Sequence, residues 1–128
     1  MNASQNLEGR WQPFKAELSG EFAPALALER MELALLQGTY TVFFGGKESD
    51  HGKYTLGSTP EHQTITLVGI RGANAGRTIP GIYQHVGDRL RICFGLAGTL
   101  PESFATTKSS ALYLVTYRRA RLPGIENG

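Results

Sequence analysis

The segment from Gly81 to Phe94 limits the folds open to this chain more than any other stretch. Two alternating runs flank Gly87-Asp88, and a glycine at the first position of a two-residue loop supplies the positive φ of a type II′ turn. That turn sets a register in which Val86 pairs with Arg89, Gln84 with Arg91 and Ile82 with Cys93 on one face. On the other face His85 meets Leu90, Tyr83 meets Ile92 and Gly81 meets Phe94. The second face is the more apolar, so it is predicted to point into a core, with Arg89 and Arg91 outside.

The rest of the chain has the same rhythm. Sixteen glycines and six prolines interrupt short runs of alternating apolar and polar residues, an all-β pattern. Strands are predicted near Leu7–Leu18, Met31–Leu36, Thr39–Phe44, Gly52–Leu56, Thr64–Val68, Ile79–Val86, Arg89–Phe94 and Leu112–Arg118. Eight strands joined by short turns predict an up-and-down antiparallel β-barrel, because closure removes the exposed edges of an open sheet. Pro24 to Gln37 competes with this scheme, since its composition favours one long helix. Met31, Leu33 and Leu35 nevertheless alternate with Glu32 and Ala34, and closure needs a strand here. The expectation is one short helix after the first strand, from Pro24 to about Glu29, then an extended Met31–Leu36 and a turn at Gln37-Gly38.

At 128 residues the chain suits one domain. A barrel is expected over residues 7–119, with a flexible N-terminus at 1–6 and a loosely ordered tail at 120–128. Hydrophobic residues at 41% and charged ones at 19% exclude a disordered chain, and no apolar run is long enough for a membrane span. The first residues have no basic stretch followed by an apolar run, so a cytoplasmic location is expected. Cys93, the single cysteine, fits a reducing compartment. Residues 1–70 carry 5 basic and 8 acidic side chains, net −3, and residues 71–128 carry 8 and 3, net +5. Arg71, Arg77, Arg89, Arg91 and Arg118 are scattered over loops and strands, so no nucleic-acid partner is expected.

Leu7-Glu8-Gly9-Arg10-Trp11 resembles the Gly-x-Trp element that opens the first strand of calycins, the superfamily of lipocalins and fatty-acid-binding proteins. With the Gly81–Phe94 hairpin, Leu100-Pro101-Glu102-Ser103-Phe104 and the ending from Leu112 to Arg119, it is similar to a family of small bacterial lipocalin-like domains of unknown function. That family's pattern has an opening like LQGTW, a middle like GIYxxxGDxLxIC and a following RPxxF. The resemblance spans Leu7 to Arg119. It implies that the Trp11 strand closes the barrel on the last strand, that Gly9 permits close backbone approach there, and that Arg118 or Arg119 lies across the indole. Leu100 stands where the family has arginine, and Thr66 where an acidic residue is common, so a role carried by that pair does not transfer. What the resemblance implies is a fold, since calycins transport, store, inhibit and in some cases catalyse.

His51, His62 and His85 have no metal-ligand spacing among themselves or with Cys93, so neither a metal nor a cofactor is expected, and His51 and His62 read as solvated turn residues. Gly69 to Arg77 has the glycines and arginines of a phosphate cradle but lacks the Gly-Lys-Ser/Thr ending and a following helix. It reads as a flexible interstrand loop. Cys93 faces away from Tyr83 and His85 with no base beside it, so no catalytic residue is assigned. Tyr40, Phe44, Tyr54 and Tyr83 stand at inward-compatible positions, and an eight-stranded barrel either fills its interior or leaves room for one small ligand.

Three functions follow, in order of expectation. The first is a non-enzymatic binding module for a small apolar or amphipathic molecule, with Tyr83 and His85 as polar contacts and Leu90, Ile92 and Phe94 as the apolar wall. The second is a filled barrel serving as a structural or protein-interaction domain. The third is an enzyme using Tyr83 and His85 as a proton-transfer pair.

Overall fold

A computed structural model describes residues 6–120. The flexible N-terminus expected at 1–6 and the tail expected at 120–128 lie outside them, apart from Asn6 and Ala120. In chain order the elements are β1 (Gly9–Leu18), β2 (Glu21–Phe22), α1 (Ala25–Glu29), β3 (Met31–Leu36), β4 (Thr39–Phe44), β5 (Lys47–Ser58), β6 (Gln63–Gly72), β7 (Thr78–Val86), β8 (Arg89–Gly95) and β9 (Leu112–Arg119). From β3 to β9 each strand pairs antiparallel with the next, and β1 lies between β3 and β9. The result is a closed eight-stranded up-and-down barrel with the two-residue β2 appended to β1.

The β7–β8 hairpin has the register that its turn dictates, from Val86↔Arg89 to Gly81↔Phe94. Gly87 is at φ 59 and Asp88 is not among the positive-φ residues, as a type II′ turn requires. Inward residues of the strands form one core that includes Trp11, Leu35, Tyr40, Ile65, Leu90 and Ile92. Each large apolar side chain buried there contributes about 1.5–3 kcal/mol against the entropy of ordering the chain.

The contested segment divides at Arg30. Pro24 opens α1 at φ −64, and Leu28 of the helix is buried. From Met31 the chain is extended, pairing residue for residue with β4 and burying Leu33 and Leu35. A continuous helix would leave β1 and β4 without that partner, so sheet pairing overrides local propensity. Between its short pairings with β3 and β2, β1 is covered by α1: Gln12 Nε2 donates to the Leu28 carbonyl oxygen at 2.8 Å.

Several local expectations need correction. β5 and β6 extend well beyond Gly52–Leu56 and Thr64–Val68, because Asp50 and His51 pair with Val42 and Thr41 on one side and with Gly72 and Arg71 on the other. His51 is therefore a strand residue, its Nδ1 2.8 Å from Thr41 Oγ1, and Gly69–Gly72 is the end of β6. Phe44 is the last residue of β4 and is 45% exposed beneath the Arg30 guanidinium, so it lies outside the core. Ile82 and Cys93 lie on the outer face of their strands yet are fully buried. Residues of the 96–111 connection reach this face at Cys93: the Ala105 backbone hydrogen-bonds to the Cys93 sulfur, and Phe104 packs between Arg91 and His62. Among the described residues no helix is long and apolar enough to cross a membrane.

Candidate functional site

In an up-and-down barrel successive turns alternate between the two ends. The β3–β4, β5–β6 and β7–β8 turns share one end with Gly9 and Trp11, while β4–β5, β6–β7 and the 96–111 connection share the other.

The Trp11 end is plugged. Trp11 is fully buried and its Nε1 donates to the Leu7 carbonyl oxygen at 2.9 Å. The Arg119 guanidinium lies 4.2 Å above the indole centre, and its Nη1 donates to the Glu8 carbonyl oxygen at 2.7 Å. Arg118 points to the outer surface, where it and its cross-strand partner Arg89 both lie over Phe14. Strand pairing thus gathers two arginines that look scattered in the sequence. Glu8 ties the plug to neighbouring strands, accepting the Gln37 N–H at 2.8 Å and the Tyr54 hydroxyl at 2.6 Å.

Tyr83, Leu90 and Ile92 are buried in the core, and His85 sits edge-on to Trp11 with ring centres 5.6 Å apart. The His85 Nε2 is 2.9 Å from the Gly87 carbonyl oxygen, which engages that nitrogen in a local contact of its own hairpin.

The other end holds a cavity of about 210 Å³. Leu33, Val42, Leu67, Ile79, Phe94 and Val115 supply its apolar wall. Of the five residues expected to form a pocket, Phe94 lines it, and Tyr83, His85, Leu90 and Ile92 do not. The reason is position along the strand: the Gly87-Asp88 turn belongs to the Trp11 end, so only a residue several places away from it reaches the other end.

Polar groups reach the cavity from two directions. Tyr113 and Tyr117 alternate with Val115 on the inner face of β9, and among the described residues neither hydroxyl has a hydrogen-bond partner. Burial pushes both phenols above their ordinary range, with Tyr113 raising Tyr117 further, so both remain neutral donors and acceptors at neutral pH. Tyr113 stacks on Phe94, ring centres 6.3 Å apart.

Asp50 enters from β5. It is 5% exposed and accepts hydrogen bonds from the Tyr40 hydroxyl at 3.2 Å, the Asn74 N–H at 3.2 Å and Asn74 Nδ2 at 2.6 Å. Gly52 makes this reach possible, because a Cβ there would stand 2.7 Å from Tyr40 Cε2 and collide with the Val68 carbonyl oxygen. Burial first, then the Asp50 carboxylate, pushes the Tyr40 phenol well up. Asn74 is held in turn by Arg77, whose Nη1 donates to Oδ1 at 3.0 Å while Nη2 donates to the Leu96 carbonyl oxygen at 2.5 Å. The segment first read as a flexible loop therefore forms a bonded rim.

Asp50, Tyr113 and Tyr117 are the site residues that the sequence reading missed. Asp50 stands in a polar run, Lys47-Glu48-Ser49-Asp50, that looks like a turn; its signal is two-residue alternation with Gly52 and Tyr54. The tyrosines show the same signal around Val115. Chemically the site offers apolar enclosure, two phenol hydroxyls and one buried carboxylate.

Comparison of the chain with protein-family models, curated proteins and solved structures finds no match. Fold and site together define a class: a closed eight-stranded up-and-down barrel, plugged at one end by a tryptophan and hollow towards the other.

Proposed function

We propose that this protein is a non-enzymatic binding module of the calycin type, holding one small, partly apolar molecule inside the barrel. The observation that carries this reading is the cavity of about 210 Å³. It is larger than the ~150 Å³ apolar cavity that accepts benzene and smaller than the roughly 300–1,000 Å³ pockets of drug-sized ligands. The ligand it suits is therefore about one ring with a short chain. Such a molecule buries on the order of 200 Å² of apolar surface, about 5 kcal/mol at ~25 cal/mol per Å². The entropy of association removes part of that, leaving roughly millimolar affinity, with Tyr113 and Tyr117 orienting a polar substituent.

Native mass spectrometry of the protein purified from its own host tests the reading, paired with thermal unfolding in the presence of phenethyl alcohol. A retained small-molecule mass, or a concentration-dependent rise in the unfolding temperature, is the expected result. Protein that carries nothing and does not respond to small apolar alcohols contradicts it.

A further inference from the structure

Resting on that reading, we propose that the cavity selects amines: its ligand is a small apolar molecule with one ammonium group, which pairs with Asp50 while the apolar body lies against Leu33, Phe94 and Val115. Asp50 shares the inward face of β5 with Gly52 and Tyr54, and it is buried. An ionised carboxylate has about four acceptor positions. Three are filled, by the Tyr40 hydroxyl and two N–H groups of Asn74, and all three donors are neutral. One position is left for a donor from the cavity, and a charged donor makes the stronger bond.

The charge around the cavity points the same way. Among the described residues no lysine, arginine or histidine lines it. Glu32, the other carboxylate on the wall, is engaged at 2.7 Å by Arg10. The nearest fixed cation to Asp50 along the hydrogen-bond chain is Arg77, which is exposed, stands behind the Asn74 amide and spends its donors on that amide and the Leu96 carbonyl. A carboxylate ligand would place a second negative charge beside Asp50 in a low-dielectric site, whereas an ammonium neutralises the first. Phe94, Tyr113 and Tyr117 also line the cavity, and aromatic rings and phenol oxygens are groups to which a cation is attracted.

The test is isothermal titration of the whole protein with phenethylamine, phenethyl alcohol and phenylacetate, at neutral pH and low salt. The expected order is amine tightest, by about tenfold or more over the alcohol, and phenylacetate weakest. Asp50→Asn is expected to remove the amine's advantage, bringing amine and alcohol to within about threefold of each other. Equal binding of amine and alcohol, or tightest binding of phenylacetate, overturns the preference for amines and leaves the cavity reading standing. Failure of all three to bind overturns both. The ranking on the unmodified protein needs no variant to fold, and a crystal structure of the amine complex gives an independent reading: the nitrogen belongs within hydrogen-bond distance of the Asp50 carboxylate.

Discussion

Arg119 lies over Trp11, its guanidinium carbon 4.2 Å from the ring centre, and the two residues are directly paired across β9 and β1. The same side chain donates to the Glu8 carbonyl oxygen, so one arginine closes the barrel seam and caps its plug. A cation–π contact contributes about 0.5–2 kcal/mol and a charged hydrogen bond about 1.5–3, and the two are not additive here. Arg119→Ala is expected to lower the stability by about 2–3 kcal/mol in urea denaturation. Arg119→Lys should recover only part of this, because an ammonium lacks the planar fork. An unchanged midpoint for Arg119→Ala would contradict the role assigned to it.

Gly9 is part of the same closure. It sits at φ 124, and a Cβ would stand 2.8 Å from Arg119 Nη1. Gly9→Ala is expected to cost about 1–3 kcal/mol through backbone strain and displacement of the guanidinium. The Gly9→Ala, Arg119→Ala double variant should lose less than the sum of the single losses, since the displaced group is already gone. Strict additivity in a double-mutant cycle would show that the two residues act independently.

All five tyrosines, Tyr40, Tyr54, Tyr83, Tyr113 and Tyr117, have phenols pushed above the ordinary value of 10.0, with burial the largest cause each time. The folded pKa is thus higher than the unfolded one, so the folded state holds its phenol protons longer. Their contribution is fully present below about pH 10 and is lost as pH rises through the folded values. The thermal midpoint should therefore decline above about pH 10, with phenolate absorbance appearing together with unfolding. Phenolate absorbance that rises at the ordinary pKa while near-ultraviolet circular dichroism persists would contradict the burial described.

Cys93 reports on the outer cover. Burial pushes its thiol up, outweighing the Ala105 hydrogen bond and the nearby Arg91, which pull it down, and Glu17 adds a small rise. Native protein should react with a thiol reagent only through opening of the 96–111 connection, far more slowly than protein in urea. Native reaction at the rate of a free thiol would mean that this connection does not cover β8.

The parts that the sequence made legible share a physical basis. Two-residue alternation and turn chemistry are local, so the Tyr83–Ile92 and His85–Leu90 pairs, the break after Glu29 and the meander order could all be read in advance. Alternation assigns a side chain to a face of the sheet and leaves open which end of the barrel it occupies. For that reason Tyr83 and His85 were legible as inward-compatible residues, while the separation of His85 beside Trp11 from Phe94 beside the cavity was not. Ile82 and Cys93 show a second limit. Alternation puts both on the outer face, whereas Cys93 is met by Ala105 from the connection that follows β8, and Arg89, Arg118 and Phe14 meet only once three strands are paired.

The most direct test of the central claim is a methyl-resolved NMR titration of the protein with phenethyl alcohol, repeated on Val42→Phe and on His85→Ala. Val42 is on the cavity wall, and the larger ring occupies the space a ligand needs; His85 lies at the plugged end. The account predicts saturable shifts at Leu33, Leu67, Ile79 and Val115, loss of those shifts in Val42→Phe, and affinity in His85→Ala within about twofold of the unmodified protein. Shifts that do not saturate, that fall on the outer face around Phe14, or that persist in Val42→Phe while disappearing in His85→Ala would contradict a binding site inside the barrel at the end opposite Trp11.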